Sequence, residues 1–157
     1  MKLTSPAFAD RQPLPAQYTC KGQNCSPPFE FIDIPSGTKS FVLLAEDLDD
    51  ARQRVHWLLF NIPGGTSHIA EGKIPDDCVE GICNDGTRGY QGPCPTFFGG
   101  IHRFSFVLYA LDSELDVPGD ADRAVILQAM DGHIIRQSQL ISVCEGDEVP
   151  SSIKPTV

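Results

Sequence analysis

Residues 40–62 read SFVLLAEDLDDARQRVHWLLFNI, two apolar runs separated by a mostly polar connection. Ser40–Asp47 and Val55–Ile62 have strand length and strand composition, and Leu48–Arg54 is of hairpin-like length. The stretch therefore predicts an antiparallel pair. Side chains alternate across a strand, which puts Asp47 on one face with Phe41, Leu43 and Ala45, and His56 on one face with Leu58, Phe60 and Ile62. Each ionisable group closes an apolar row. A hairpin also brings the end of its first strand to the start of its second, so Asp47 and His56 belong at the same end of the sheet.

Further along, Ile101–Asp112 (IHRFSFVLYALD) is a third strong strand, with His102 on the face of Phe104, Phe106, Leu108 and Ala110. His102 joins the other two groups only if its strand runs parallel to Val55–Ile62 or lies beyond an intervening strand, and the sequence leaves that open. Phe29–Ile34 (FEFIDI) predicts a short strand closed by the turn Pro35-Ser36-Gly37, and Ile69–Tyr90 is mostly loop. A helical period begins only after Asp116. Val117-Pro118-Gly119-Asp120 supplies its start signals, and Val125, Leu127, Ala129 and Met130 belong to an apolar face. A second amphipathic run spans His133–Val143. Strands first and helices last predict a mainly β fold, an antiparallel β-sandwich or twisted sheet with short C-terminal helices packed at one end. One domain over 1–146 and a polar tail over 147–157 account for the chain.

With 157 residues, 41% of them hydrophobic, the chain is long enough for one sizeable core. Its net charge of −9 excludes general nucleic-acid binding, which needs a basic face, and disfavours anionic membranes. The N-terminal MKLTSPAFADRQPLP holds no apolar run of signal-peptide length, and no segment approaches a membrane span. A cytoplasmic protein without integral membrane association is the expectation. Cys20, Cys25, Cys78, Cys83, Cys94 and Cys144 match no metal-ligand spacing and are read as buried or idle thiols in a reducing compartment.

The loop before the third strand, Gly92–Phe104 (GPCPTFFGGIHRF), is stiffened by prolines on both sides of Cys94. A carboxylate can orient a histidine through one ring nitrogen and leave the other for a ligand, while a glycine-rich backbone brings N–H groups close to an anion. The loop is read as a preformed wall of a site, with His102 at its rim. Taken alone, His56 before Trp57 has the pattern of a structural histidine, and Glu46–Asp50 that of a solvated acidic turn. Arg103 points away from His102 and is read as a partner for a carboxylate. No G-x-S-x-G, H-E-x-x-H, P-loop or dinucleotide fingerprint is present.

Several segments occur in an order that is specific in combination: Tyr18-Thr19-Cys20-Lys21-Gly22, Asp47-Leu48-Asp49-Asp50-Ala51, His56-Trp57 with Asn61-Ile62-Pro63, Gly89–Pro95, His102-Arg103-Phe104 with Leu108–Asp112, and Ala129–Ile134. Together they resemble the phosphatidylethanolamine-binding protein family in its bacterial and archaeal YbhB/YbcL branch, often called Raf kinase inhibitor-like. The resemblance implies a small pocket for phosphate-like groups and a regulatory, kinase-inhibitor-like binding module without cofactor or metal. The pocket would use Asp47, Asp49, His56, Gly92, Pro93, Pro95, His102 and Phe104. Its partner would be a phosphorylated ligand, a phosphoprotein or a kinase, and a homodimer stays open. The alternative is a small-molecule hydrolase using a His56/Asp47 base pair.

The family's usual Asp-Pro-Asp-Ala-Pro appears here as Asp47–Ala51, Thr96 stands where proline is common, and Phe104 replaces the usual tyrosine. Three expectations complete the reading. Cys94 is structural rather than catalytic, and Phe97 and Phe98 form an apolar rim. Asp50, an added carboxylate, weakens anion binding: a like charge roughly 6 Å from the ligand costs about 2–3 kcal/mol at an effective dielectric near 20.

Overall fold

The computed structural model describes residues 1–147. Its ten regular elements are β1 (Lys2–Thr4), β2 (Gln12–Pro13), β3 (Phe29–Ile32), β4 (Ser40–Asp47), β5 (Val55–Pro63), β6 (His68–Ile69), β7 (Val79–Glu80), β8 (Ile101–Leu111), α1 (Arg123–Met130) and β9 (Ile134–Glu145), with 3-10 turns at Ala16–Tyr18 and Pro95–Phe97. A six-stranded sheet runs β2-β9-β8-β4-β5-β7, and a three-stranded sheet, β1-β3-β6, packs across it. The architecture is mainly β, as expected.

The large sheet is covered on both faces, and this explains why β4 and β5 are apolar almost without interruption. On one face Phe41, Leu43, Trp57, Leu59, Phe104 and Phe106 pack with Leu3, Phe29 and Phe31 of the small sheet. On the other, Val42, Leu44, Leu58 and Phe60 meet Ile126 and Met130 of α1. The Asp122 side chain caps α1 by accepting from the backbone N–H of Val125, two residues beyond the start signals in the sequence.

The second helix expected over His133–Val143 is not formed. Gly132, at φ 82°, ends α1, and the chain continues as β9, paired along β8 from Ile101↔Glu145 to Leu111↔Ile134. Ile134-Ile135 and Leu140-Ile141 favour a pleated surface, and the pairing covers an edge of β8 that would otherwise expose its backbone groups. The C-terminal helical layer is therefore α1. Of the tail expected over 147–157, only Asp147 falls among the described residues.

The hairpin is present, but β5 carries two additional residues against β4. Ala45↔Trp57 is followed by Glu46↔Val55, leaving His56 in a bulge, and a second irregularity lies between Phe41↔Ile62 and Leu43↔Leu59, where Asn61 adopts φ 51°. Simple alternation would place His56 with Leu58 and Phe60, towards α1. The bulge turns it to the opposite face, beside Phe104.

Candidate functional site

β4 lies between β5 and β8 and is antiparallel to both, so the end of β4 meets the starts of its two neighbours. This is the arrangement with an intervening strand, and it brings Asp47, His56 and His102 to one place. They line a cavity of about 310 Å³ together with Asp50, Arg52, Arg54, Pro93, Cys94, Phe97 and Phe98.

Each histidine has its Nδ1 engaged. His56 Nδ1 lies 2.6 Å from the carbonyl oxygen of Gln91, which can only accept, so the proton sits on Nδ1 and Nε2 is left for the cavity. His102 Nδ1 lies 2.6 Å from Asp47 Oδ2, while Asp47 Oδ1 accepts the backbone N–H of Asp49 at 2.9 Å. The buried carboxylate therefore orients His102, not His56. The His56/Asp47 base pair of the hydrolase reading does not form. The His56 ring meets the Phe104 ring edge-on, with centroids 4.5 Å apart, and the Phe98 ring stacks on His102 at 3.9 Å.

Burial lowers the pKa of His56 from 6.5, against the opposing pull of the Gln91 carbonyl and the Asp47 charge. With its folded pKa below the unfolded value, His56 contributes stability that is fully present above about 6.5 and is lost as pH falls towards the folded value. The expected result is a thermal midpoint that drops on acidification below that point, and a shallower drop in His56→Gln. Identical pH profiles of the two proteins would rule this out.

The sequence-predicted residues divide into lining and support. Asp47, His56, Pro93 and His102 line the cavity, and Phe104, fully buried, lies beneath His56. Asp49 stands outside it: both oxygens are taken by the Arg103 guanidinium, one also accepts the Arg103 backbone N–H, and these bonds lower the Asp49 pKa. Gly92 and Pro95 shape the wall without lining it. The Gly92 N–H donates to Asn24 Oδ1, and a Cβ on Gly92 would fall 1.9 Å from the Tyr18 carbonyl oxygen. Pro95 opens the 3-10 turn that carries Phe97. Phe97 is 79% exposed, so the rim expected of the paired aromatics holds for it, whereas Phe98 leans inward onto His102.

Two features went unread in the sequence. Arg52 and Arg54 bring positive charge to the cavity. The signal was their place in the loop joining the two site strands, since a loop that closes the site end of a hairpin must border the site. The second is a disulfide between Cys20 and Cys94, which corrects the reading of these two as idle thiols. Cys25, Cys78, Cys83 and Cys144 are free, and burial pushes the last three up to about 11. Among the described residues no three His, Cys, Asp or Glu side chains converge as a metal site requires, and no helix is long and apolar enough to cross a membrane.

Comparison with known proteins gives a consistent result. Residues 4–145 match the family model described as phosphatidylethanolamine-binding protein. A UPF0098 protein of Methanothermobacter thermautotrophicus is 41% identical over 150 residues, covering 91% of this chain and 97% of the relative, and one from Chlamydia trachomatis is 39% identical over 153 residues, covering 94% and 100%. The crystal structure of a C. trachomatis phosphatidylethanolamine-binding protein homologue superposes with a TM-score of 0.86 at 38% identity, covering 93% of this chain and 97% of that one. Escherichia coli YbcL shares the fold, with a TM-score of 0.84 at 24% identity over 92% and 97% of the two chains. The chain belongs to the phosphatidylethanolamine-binding protein family.

Proposed function

We propose that this chain is a binding module whose cavity at the β4–β5–β8 end takes up a phosphate-like group, free or carried on a phosphorylated ligand, and that it regulates a phosphoprotein or kinase by holding that group. One observation carries the reading. Two imidazoles with Nδ1 tied to acceptors face a cavity that also holds Arg52 and Arg54. The guanidiniums offer charge-assisted donors. Neutral His56, with Nε2 as an acceptor, suits the hydroxyl of a singly protonated phosphate. The carboxylates Asp47 and Asp50 oppose this charge, and their oxygens are partly engaged: Asp47 by His102 and the Asp49 N–H, Asp50 Oδ1 by the backbone N–H of Arg52. The cytoplasmic setting belongs to the same proposal, and cell fractionation is its check.

Asp50 lines the cavity, where its negative charge opposes a bound anion. Calorimetric titration with inorganic phosphate and phosphoethanolamine tests the reading. Removing both guanidiniums, Arg52→Ala with Arg54→Ala, is expected to weaken both ligands by about tenfold or more, the scale of a charged hydrogen bond. Asp50→Ala is expected to tighten phosphate, more at low salt than at high. Phosphate affinity indifferent to the arginines would overturn the proposal. Weaker phosphoethanolamine binding in Asp50→Ala, with phosphate unaffected, would assign Asp50 to the amine.

A further inference from the structure

Cys94 lines the cavity, and its partner Cys20 is exposed on the turn that follows Ala16–Tyr18. The wall between Pro93 and Phe98 has few other attachments. Pro93 and Pro95 carry no N–H, and the N–H of Phe97 bonds within the wall, to the Cys94 carbonyl. Among the described residues two backbone bonds reach the segment from elsewhere, Cys20 N–H to Pro93 O at 3.1 Å and Asp147 N–H to Pro95 O at 2.8 Å. Both donors belong to one small support, since Lys21 and Asp147 form an ion pair. The covalent link between Cys20 and Cys94 thus fastens a wall whose last residue, Phe98, holds the His102 ring by stacking.

The two sulfurs are unequal. Cys20 is open to solvent, whereas Cys94 is half-buried in the cavity wall. Thr96 Oγ1 lies 3.3 Å from Cys94 Sγ, and because a disulfide sulfur carries no proton, the hydroxyl is the donor. A thiolate on Cys94 would keep that hydroxyl bond, which an exposed Cys20 thiolate lacks. Disulfides exchange by thiolate attack, and the sulfur whose thiolate is better stabilised leaves faster.

We infer that Cys20–Cys94 is a reversible thiol–disulfide exchange site, taking a dithiol as its co-reactant, which closes the wall against His102 when oxidised and opens the cavity's rim when reduced. A thiolate of the dithiol attacks Cys20 Sγ, the bond between the two cysteines breaks, and Cys94 leaves as thiolate. The second sulfur of the dithiol then attacks the mixed disulfide and releases Cys20. The dithiol ends as a disulfide, oxidised by two electrons, and its two protons balance the two cysteines formed. In the reduced state the wall loses its covalent fastening. The effect on ligand rests on the anion reading above.

The experiment uses the full chain carrying Cys25→Ser, which removes a competing partly exposed thiol. It compares oxidised protein, dithiothreitol-reduced protein and the further variant Cys20→Ser with Cys94→Ser. Folded protein is expected to be reduced by dithiothreitol, the amides of Cys94, Thr96, Phe97 and Phe98 to exchange faster, and inorganic phosphate to bind at least about tenfold more weakly, as expected when a preorganised site is loosened. The double variant is expected to bind weakly with or without dithiothreitol. A bond that resists dithiothreitol in the folded state, or wall amides equally protected in both states, would overturn the inference, and so would equal phosphate affinity in both states. Lost protection with no phosphate bound in either state would support the exchange site and overturn the anion reading instead.

Discussion

Gly92→Ala is expected to destabilise the protein by about 3 kcal/mol, the upper end of overpacking costs, and to weaken phosphate binding by at least about tenfold. The added Cβ would lie 1.9 Å from the carbonyl oxygen of Tyr18 and 2.8 Å from Asn24 Oδ1, the atom that accepts Gly92's own N–H. Neither neighbour can yield cheaply. Tyr18 belongs to a 3-10 turn, its carbonyl accepts from the Tyr90 hydroxyl at 2.7 Å, and Cys20 two residues on is bonded to the wall through both backbone and sulfur. The wall would have to lift away from His56 and His102. Gly119→Ala is the control, because a Cβ there meets nothing within 4 Å. Thermal denaturation and phosphate titration of the two variants decide the matter, and a Gly92→Ala protein as stable as Gly119→Ala would refute the packing argument.

Phe104→Ala carries the second large expected effect, a loss of about 3–5 kcal/mol, the range for truncating a buried phenylalanine. The ring is 0% exposed and packs edge-on against both His56 and Phe106, with centroids at 4.5 Å and 5.5 Å. Such a loss approaches the whole stability of an ordinary domain, so denaturant unfolding at low temperature is the suitable measurement. A second readout separates the site from the core. Removing the ring lets water reach His56, so its pKa, held down by burial, is expected to rise towards 6.5 when followed by imaging the imidazole resonances in NMR titration. Phe104→Leu should lose less stability and shift His56 less. A Phe104→Ala protein whose His56 titrates unchanged would show that the desolvation comes from elsewhere.

Most of the sheet could be read from residue order because its strands are apolar on both faces and end in polar residues. Ser40–Asp47 and Ile101–Leu111 begin where the sequence places them, and Asp47 ends its strand as expected. The errors have local causes. Ile134–Glu145 carries a polar middle, Arg136–Gln139, between apolar ends, and that spacing imitates a helix until β8 is present to pair with it. The facing of His56 depended on a bulge, and nothing in Val55-His56-Trp57 announces an extra residue that only the register with β4 defines. Site residues were legible where they end apolar rows, as with Asp47 and His102. The resemblance alone puts Asp49 in the pocket, whereas in the structure it lies in the turn after β4 and meets Arg103 near the start of β8. The Cys20–Cys94 pairing spans 74 residues, a separation that sequence spacing cannot resolve.

Both borders of the large sheet are made of very short pieces, Gln12–Pro13 on one side and Val79–Glu80 on the other. Pro13 offers no N–H, and along β5 the carbonyls of Leu58 and His56 are already occupied by Gly81 and Gln91 from passing loops. Along these two borders a second molecule therefore meets few free peptide groups on which to lay a strand, the usual route to edge-to-edge aggregation. Large exposed apolar side chains stand beside the cavity, among them Phe97, 79% exposed, and Ile101, 65% exposed. Two copies meeting there would crowd the mouth that a ligand must enter, so pairing and ligand uptake would compete for the same ground.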